Sequence, residues 1–387
     1  MLRRGPAAFA CQWAPVPEQR VVVEALALAV WLKKPVLLWG GPGTGKTAVV
    51  QGIGRALGQR VETVIASLRE PADFAGLPVV AADGSVRLAA PSWAARLASD
   101  NSGILFLDEV TTAPPSVQAA LLRVVLERVV GDLALPPGVA VVAAANPPEL
   151  ATGGWDLAAP LANRFCHLDW PVDANRYVES LVAGWPLPDV HAAESSPPPH
   201  AVARLAGPLA GFLRSRPGLI HAVPTEATTA GRAWPSPRSW DMARDLWAAA
   251  EHVGAGDDVV LALIAGCVGP GPARELLTWV QEADLPDPED VLADPARFRL
   301  PERGDRQFAV LSAVTAAVAA NPTVERWEAA FVVIEQVVTR GAPDVAAIAA
   351  RTLAEHAPAG LQTLPPAMVA LAPVLANAGL LRRRART

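Results

Sequence analysis

The chain has 387 residues, 33 basic against 38 acidic, six His and three Cys, with 51% hydrophobic and 18% charged side chains. At roughly 100–200 residues per domain this predicts two or three domains with ample core, and excludes a disordered tail or a small scaffold that needs disulfide or metal staples. A net charge of −5 argues against a protein built chiefly to grip phosphate backbones, since such domains carry a basic excess.

The first residues, Met1-Leu2-Arg3-Arg4, have the charge of a signal peptide without the apolar stretch that should come next. Apolar residues recur at helical spacing from Glu18 to Leu32, and Val36-Leu37-Leu38-Trp39 then reads as a buried strand. Glycines from Gly40 to Gly45 break it. A second helix over Thr47–Leu57 should stop at Gly58, and Val61–Ala66 reads as a strand. Two short runs flanking Asp83-Gly84, from Val79 to Leu88, predict a tight hairpin. The apolar strand Gly103–Leu107 ends in Asp108-Glu109, Pro114–Arg128 reads as a helix with prolines in its first turn, and Leu133–Gly138 is a turn-rich connection to a buried strand at Val139–Ala145. Around Trp185–His200 the pattern dissolves into Pro, Ser and Glu, and beyond it the chain is helical and rich in Ala.

Short apolar strands alternating with helices predict an α/β domain with a parallel sheet covered on both faces, with ligands at the carboxyl ends of its strands. The expected organisation is an α/β nucleotide-binding core over 1–180, a Pro-rich linker over 181–200, an α-helical lid over 201–268 and a helical extension over 269–387. Cys11, Cys166 and Cys267 form no CxxC pair, and His167, His191, His200, His221, His252 and His356 show no metal-ligand spacing. The longest apolar stretches, near Ala309–Ala320 and Ala367–Leu381, are too short to span a bilayer, so a cytoplasmic protein without membrane contact is expected. The terminal run Arg382–Arg386 reads as a frayed, solvated end.

Gly40-Gly41-Pro42-Gly43-Thr44-Gly45-Lys46-Thr47 fills the GxxxxGK[ST] pattern after a buried strand and at the opening of a helix, with Ala48 behind it. Glycines let successive backbone N–H groups point at phosphates, and the helix dipole adds to the attraction. Lys46 would reach the β- and γ-phosphates and the Thr47 hydroxyl would ligate Mg²⁺. Asp108 can hold the same ion and Glu109 can orient and polarise an attacking water. No NKxD segment reads guanine, so ATP is the expected nucleotide. Asn146, ending the next strand, could bond the γ-phosphate or the water. Arg164 and Arg238 are the candidate cations for charge developing on the transferred phosphoryl group. Of the 33 cations only Lys33, Lys34 and Lys46 are lysine; Lys33-Lys34 read as solvated surface, whereas at Lys46 a compact ammonium is needed.

This ordered set resembles the AAA+ ATPases, and among them the MoxR-like and dynein-related group. The likeness is carried by the phosphate loop, Ser67–Pro78, Phe106–Glu109, Ala113-Pro114-Pro115 with Val117–Leu122, and Ala143–Pro147. It is dense over about 17–170, thinner over 200–265 and absent after about 270. The resemblance implies Walker A at Gly40–Thr47, Walker B at Asp108 and Glu109, sensor 1 at Asn146, an arginine finger at Arg164 directed to a neighbouring subunit's ATP, and sensor 2 at Arg238. It implies a homo-oligomeric ring, a hexamer, and pore-facing hairpins around Asp83-Gly84 and Leu133–Gly138. Thr111-Thr112 stand where many relatives have Asn-Arg, a cationic role that Arg123 or Arg128 could take.

By family analogy, Mg-dependent ATP hydrolysis would drive chaperone-like remodelling or activation of a protein partner, often one with a von Willebrand factor A domain. A nucleic-acid motor of MCM-like type is the alternative, disfavoured by the acidic balance and by a hairpin tip, Gly131–Leu135, without Lys or Arg. A slow ATP-dependent switch that binds a partner is a third reading. Several of the 12 tryptophans are expected in the core, with an interface role as the other reading for Trp234, Trp240 and Trp247.

Overall fold

The computed structural model describes residues 19–150, 154–183, 188, 196–340 and 343–358. Cys11, His191, most of the Pro-rich linker, the apolar stretch 367–381 and the basic run 382–386 lie outside the described residues. Contacts group the chain into two units, residues 1–155 with 167–191, and residues 156–166 with 192–387.

The first unit opens with α1 (Gln19–Trp31), whose Val, Ala and Leu residues are nearly all buried, and β1 (Val36–Trp39), buried at every position. Lys33 between them is half-buried in a left-handed conformation, φ 57°. Burial, and then the charge of Arg128, lower its pKa, so it is not the solvated cation expected. The chain continues through α2 (Lys46–Ala56), β2 (Val61–Ile65), α3 (Ala72–Ala75), β3 (Leu77–Val80), β4 (Val86–Ala89), α4 (Ser92–Asp100), β5 (Ser102–Asp108) and α5 (Pro115–Glu127). Next come β6 (Val129–Val130), β7 (Leu133–Ala134), β8 (Gly138–Ala145), α6 (Ala159–Ala162, in the second unit), β9 (Cys166–Asp169) and α7 (Ala174–Ala183).

The central sheet has the order β2-β5-β8-β1-β9, with β2, β5, β8 and β1 pairing in parallel. Its inner strands β5, β8 and β1 are almost wholly apolar and buried, as strands covered on both faces are. Register aligns the strand ends. Trp39 lies opposite Ala145 and Ile65 opposite Asp108, so the phosphate loop, the acidic pair and Asn146 leave the sheet at one end, where ligands of such sheets bind.

The β3–β4 hairpin forms, but not with a two-residue turn. Gly84 N donates to Ala81 O at 2.9 Å and Ala81 N to Ser85 O at 2.8 Å, with Gly84 at φ 80°. This is the three-residue class closed by a left-handed glycine, stabilised by Asp83 Oδ1 accepting from Ser85 N (3.0 Å) and Oγ (2.6 Å). The hairpin expected around Leu133–Gly138 forms a little earlier, as β6–β7, and its Gly131-Asp132 turn is not a free tip. Gly131 N donates to Phe74 O, Asp132 N to Leu88 O at 2.9 Å, and Asp132 Oδ2 accepts from Leu88 N at 2.8 Å. Asp132 thus replaces a strand neighbour at the base of β4.

The second unit is helical: α6, α8 (Pro199–Ser215), α9 (Ala227–Ala230), α10 (Pro237–Val253), α11 (Asp257–Val268), α12 (Pro270–Ala283), α13 (Pro288–Ala293), α14 (Gly304–Ala320), α15 (Val324–Thr339) and α16 (Pro343–Glu355). α8 packs on α14 at glycine: a Cβ on Gly207 would stand 2.4 Å from Ala309 O and from Ala313 Cβ. The position 268/269 therefore falls inside one compact unit. Trp234, Trp240 and Trp247 are 8%, 2% and 5% exposed, core residues rather than interface. A separate apolar cluster runs from Val291 to Leu353 around Trp327 and Phe331.

Candidate functional site

Lys46, the first residue of α2, is 8% exposed. Its Nζ donates to Gly40 O at 2.6 Å, Gly41 O at 2.9 Å and Asn146 Oδ1 at 3.1 Å. An ammonium with three oxygen acceptors converging on it is the arrangement that phosphate oxygens can take over. Burial lowers the Lys46 pKa, and the charges of Asp108 and Glu109 oppose that shift. Gly43 and Gly45 have φ of 72° and 93°, and a Cβ on either would meet nothing within 4 Å. Glycine is there for backbone conformation, not for want of room. Thr44 Oγ1 closes the loop on Gly41 O at 2.8 Å, and Trp170 Nε1 braces Thr44 O at 2.8 Å.

Thr47 Oγ1 donates to Asp108 Oδ2 at 3.0 Å. A hydroxyl and a carboxylate side by side beside a cationic lysine are the hard oxygen donors that Mg²⁺ takes. Glu109 is a non-glycine residue at φ 58°, a conformation that costs of order 1–2 kcal/mol and needs its surroundings to hold it. Asp108 Oδ1 accepts from Glu109 N at 2.9 Å, and Thr112 N and Oγ1 both donate to Glu109 O at 3.1 Å. Thr111 O accepts from Trp155 N at 2.7 Å. The Thr-Thr pair thus builds the turn that presents Glu109. Arg128 cannot take over a cationic role there: it is turned onto Pro136 O and Val139 O, and burial lowers its pKa. Arg123 pairs with Glu127 at 3.0 Å.

Nothing in the sequence marks Ser67 as a site residue. Its Oγ donates to Glu109 Oε2 at 2.5 Å, a consequence of the pairing of Ile65 with Asp108 that is invisible without that register. Beside the loop lies a pocket of about 830 Å³, lined among others by Val23, Thr44, Ala48, Trp170, Val172 and Tyr177. It offers apolar and aromatic surface next to a phosphate cradle, as a nucleotide base and ribose require.

Arg164 and Arg238 belong to the second unit. Arg164 is half-buried, and burial followed by the charge of Arg238 lowers its pKa, so the two guanidinium groups lie within electrostatic range of each other. Arg238 is exposed in the first turn of α10. Among the described residues no group of three or more His, Cys, Asp or Glu could hold a metal, Cys166 and Cys267 are buried and in no disulfide, and no helix is long and apolar enough to cross a membrane.

The family model of AAA domains of the dynein-related subfamily matches residues 35–165. Protein MoxR of Methylorubrum extorquens is 33% identical over 109 residues, 27% of this chain and 31% of that protein; the chain thus matches under a third of that relative's length. Two solved structures are similar at a TM-score of 0.38: a candidate ATPase from Cytophaga hutchinsonii, 17% identical and covering 67% of this chain and 80% of that one, and a full-length MCM homolog from Methanopyrus kandleri, 20% identical and covering 69% and 56%. At those values neither bears on function.

Proposed function

Residues 35–165 belong to the AAA domains of the dynein-related subfamily, and from that premise we propose that the chain hydrolyses ATP with Mg²⁺ and couples hydrolysis to remodelling of a protein partner. The observation that carries the reading is the direct linkage of the phosphate loop to both downstream motifs, Lys46 to Asn146 and Thr47 to Asp108. In this reading backbone N–H groups of Gly43–Thr47 and the ammonium of Lys46 bind the β- and γ-phosphates. Mg²⁺, held by Thr47 and Asp108, would neutralise charge on the phosphate oxygens. Glu109 accepts a proton from water as the water oxygen bonds to the γ-phosphorus and the bond to the ADP oxygen breaks. Asn146 orients that water or the γ-phosphate. Arg164 and Arg238, brought together by an adjacent subunit, balance charge on the transferred group, in a ring proposed to be a hexamer.

A protein client is favoured over DNA by the surface of the β3–β4 hairpin. Leu77, Val79, Val80 and Val86 are 50–72% exposed there and Arg87 is the one cation of the hairpin, a surface suited to polypeptide more than to phosphate. A von Willebrand factor A domain is the proposed partner class. The bond from Ser67 to Glu109 supports one further element, slow basal turnover: a carboxylate oxygen held at 2.5 Å is less available as a base, so partner binding would set the rate.

Glu109→Gln should abolish hydrolysis and retain ATP binding. Mixing inactive Lys46→Ala with inactive Arg164→Ala should restore activity if sites are shared between subunits. Unchanged turnover in Glu109→Gln refutes its role; no recovery on mixing at assembling concentrations refutes the shared site.

A further inference from the structure

Arg164 is preceded by Asn163, the residue that ends α6. Asn163 is 4% exposed, yet both ends of its amide are bonded: Nδ2 donates to Trp234 O at 3.0 Å, and Oδ1 accepts from Ser236 Oγ at 2.6 Å. Ser236 is the N-cap of α10 and makes a reciprocal capping box with Ser239, the Ser236 N to Ser239 Oγ bond being 2.8 Å and the return bond 3.1 Å. Ser239 Oγ also donates to Trp234 O at 3.0 Å. Ser236 and Ser239 are 4% and 0% exposed. Breaking the Asn163–Ser236 bond would leave a desolvated polar group on each side, so this bond ties the end of α6 to the start of α10.

This network joins the two arginines. Arg164 comes directly after Asn163, and Arg238 lies two residues beyond Ser236, with its charge acting on Arg164. Arg164 donates from Nη1 to Pro160 O, while its Nε is buried with no partner. The charge that acts on Arg164 is that of Arg238, and no carboxylate offsets it. Two like charges held in range repel unless an anion lies between them. Planar forks approaching from two elements suit a tetrahedral oxyanion of the phosphoryl type.

We propose that Asn163 is a positioning residue: through its bond to Ser236 it fixes Arg164 against the first turn of α10, making Arg164 and Arg238 a single clamp for the transferred phosphoryl group. This rests on the ATPase reading above. A neutral, buried amide thereby sets the geometry of two cations that must act on one group.

The test uses the full chain with Asn163→Ala, Ser236→Ala, Ser236→Thr and Ser239→Ala, read by kcat and KM, by titration of ADP with and without aluminium fluoride, and by thermal unfolding. Asn163→Ala and Ser236→Ala should leave KM and ADP affinity within about twofold, lower kcat by about tenfold or more, and reduce by a similar factor the preference for ADP–aluminium fluoride over ADP. Ser236→Thr, which keeps the hydroxyl, should stay within about twofold of the unaltered chain. Asn163→Ala added to Arg164→Ala should cost under about twofold more, since it acts through that arginine. The proposal is overturned if Ser239→Ala, which keeps the Asn163–Ser236 bond, lowers kcat as much as Asn163→Ala does, or if the Asn163→Ala and Arg164→Ala losses multiply in full. A chain with no hydrolysis to lose fails the ATPase reading separately, and the aluminium fluoride titration then decides the role of Asn163 alone.

Discussion

Lys46→Arg keeps the charge at the centre of the candidate site and changes only its shape. Nζ of Lys46 meets Gly40 O, Gly41 O and Asn146 Oδ1 at 2.6, 2.9 and 3.1 Å from one compact atom. A guanidinium spreads its donors over a rigid plane on a longer stem, and in a position 8% exposed it can face one or two of those acceptors, not three. Phosphate oxygens taking their place would meet the same limit. Losing two charge-assisted contacts at about 1.5–2 kcal/mol each removes about 3–4 kcal/mol, or two to three decades of kcat/KM. The assay is steady-state ATP hydrolysis beside titration of a fluorescent ATP analogue, with Lys46→Met as the uncharged control. Arginine within about threefold of lysine would refute the reasoning, because a diffuse charge would then suffice. The test has an edge in this chain, where 30 of the 33 cations are already arginine.

Because burial lowers the Lys46 pKa, the folded chain releases this proton more readily than the unfolded one, so Lys46 alone adds stability as pH rises from its lowered pKa toward the ordinary 10.5. Phosphates reverse that preference, so ATP binding in the same alkaline window should take up a proton, measurable by calorimetry in buffers of different ionisation enthalpy; proton release would contradict the site. Ser67→Ala frees a Glu109 oxygen and should raise basal hydrolysis several-fold at unchanged ATP affinity, whereas a fall would make Ser67 a support rather than a restraint. Asp132→Ala removes the acceptor of Leu88 N, a loss of about 1 kcal/mol, and should speed hydrogen exchange over 77–89 by about fivefold; unaltered protection there would count against the anchoring role of Asp132. Gly207→Ala forces a Cβ to 2.4 Å from Ala309 O and should destabilise by about 1–3 kcal/mol despite its better helix propensity, while Gly271→Ala, with nothing within 4 Å, should be neutral in the same melt.

Sequence reveals whatever the local chain dictates. Val36–Trp39 and Pro115–Glu127 form where periodicity and prolines put them, and the phosphate loop is legible because its chemistry demands contiguous residues. The hairpin at Asp83-Gly84 is legible as a hairpin, but its turn class depends on whether Asp83 bonds Ser85, a choice of geometry within the same residues. Ser67 and Asp132 are hidden for another reason: each acts on a segment more than 40 residues away, Glu109 and Leu88, and only sheet register or hairpin docking brings the pairs together. Lys33 departs from expectation because a helix end and a strand start give no hint that a turn lysine is half-covered.

Arginine poses the sharpest case, since residue type carries almost no information in so arginine-rich a chain. What separates one arginine from another is its counterpart. Arg96 is bound twice to Glu62 at 2.7 Å, Arg326 is forked on Glu289, and Arg128 is turned onto backbone carbonyls. Each spends its terminal N–H groups on partners within its own unit, which leaves it less to offer a ligand. Arg164 differs in what faces it: half-buried and bonded to Pro160 O, it is opposed by the charge of Arg238. A folded protein keeps such an arrangement only if a binding event relieves it or surrounding structure enforces it. The Asn163–Ser236 bond supplies the enforcement, and an incoming phosphoryl oxyanion would supply the relief. Both halves are needed, because an enforced pair of cations with no anion is a cost without return, and an anion site without enforcement would let the two side chains drift apart into solvent.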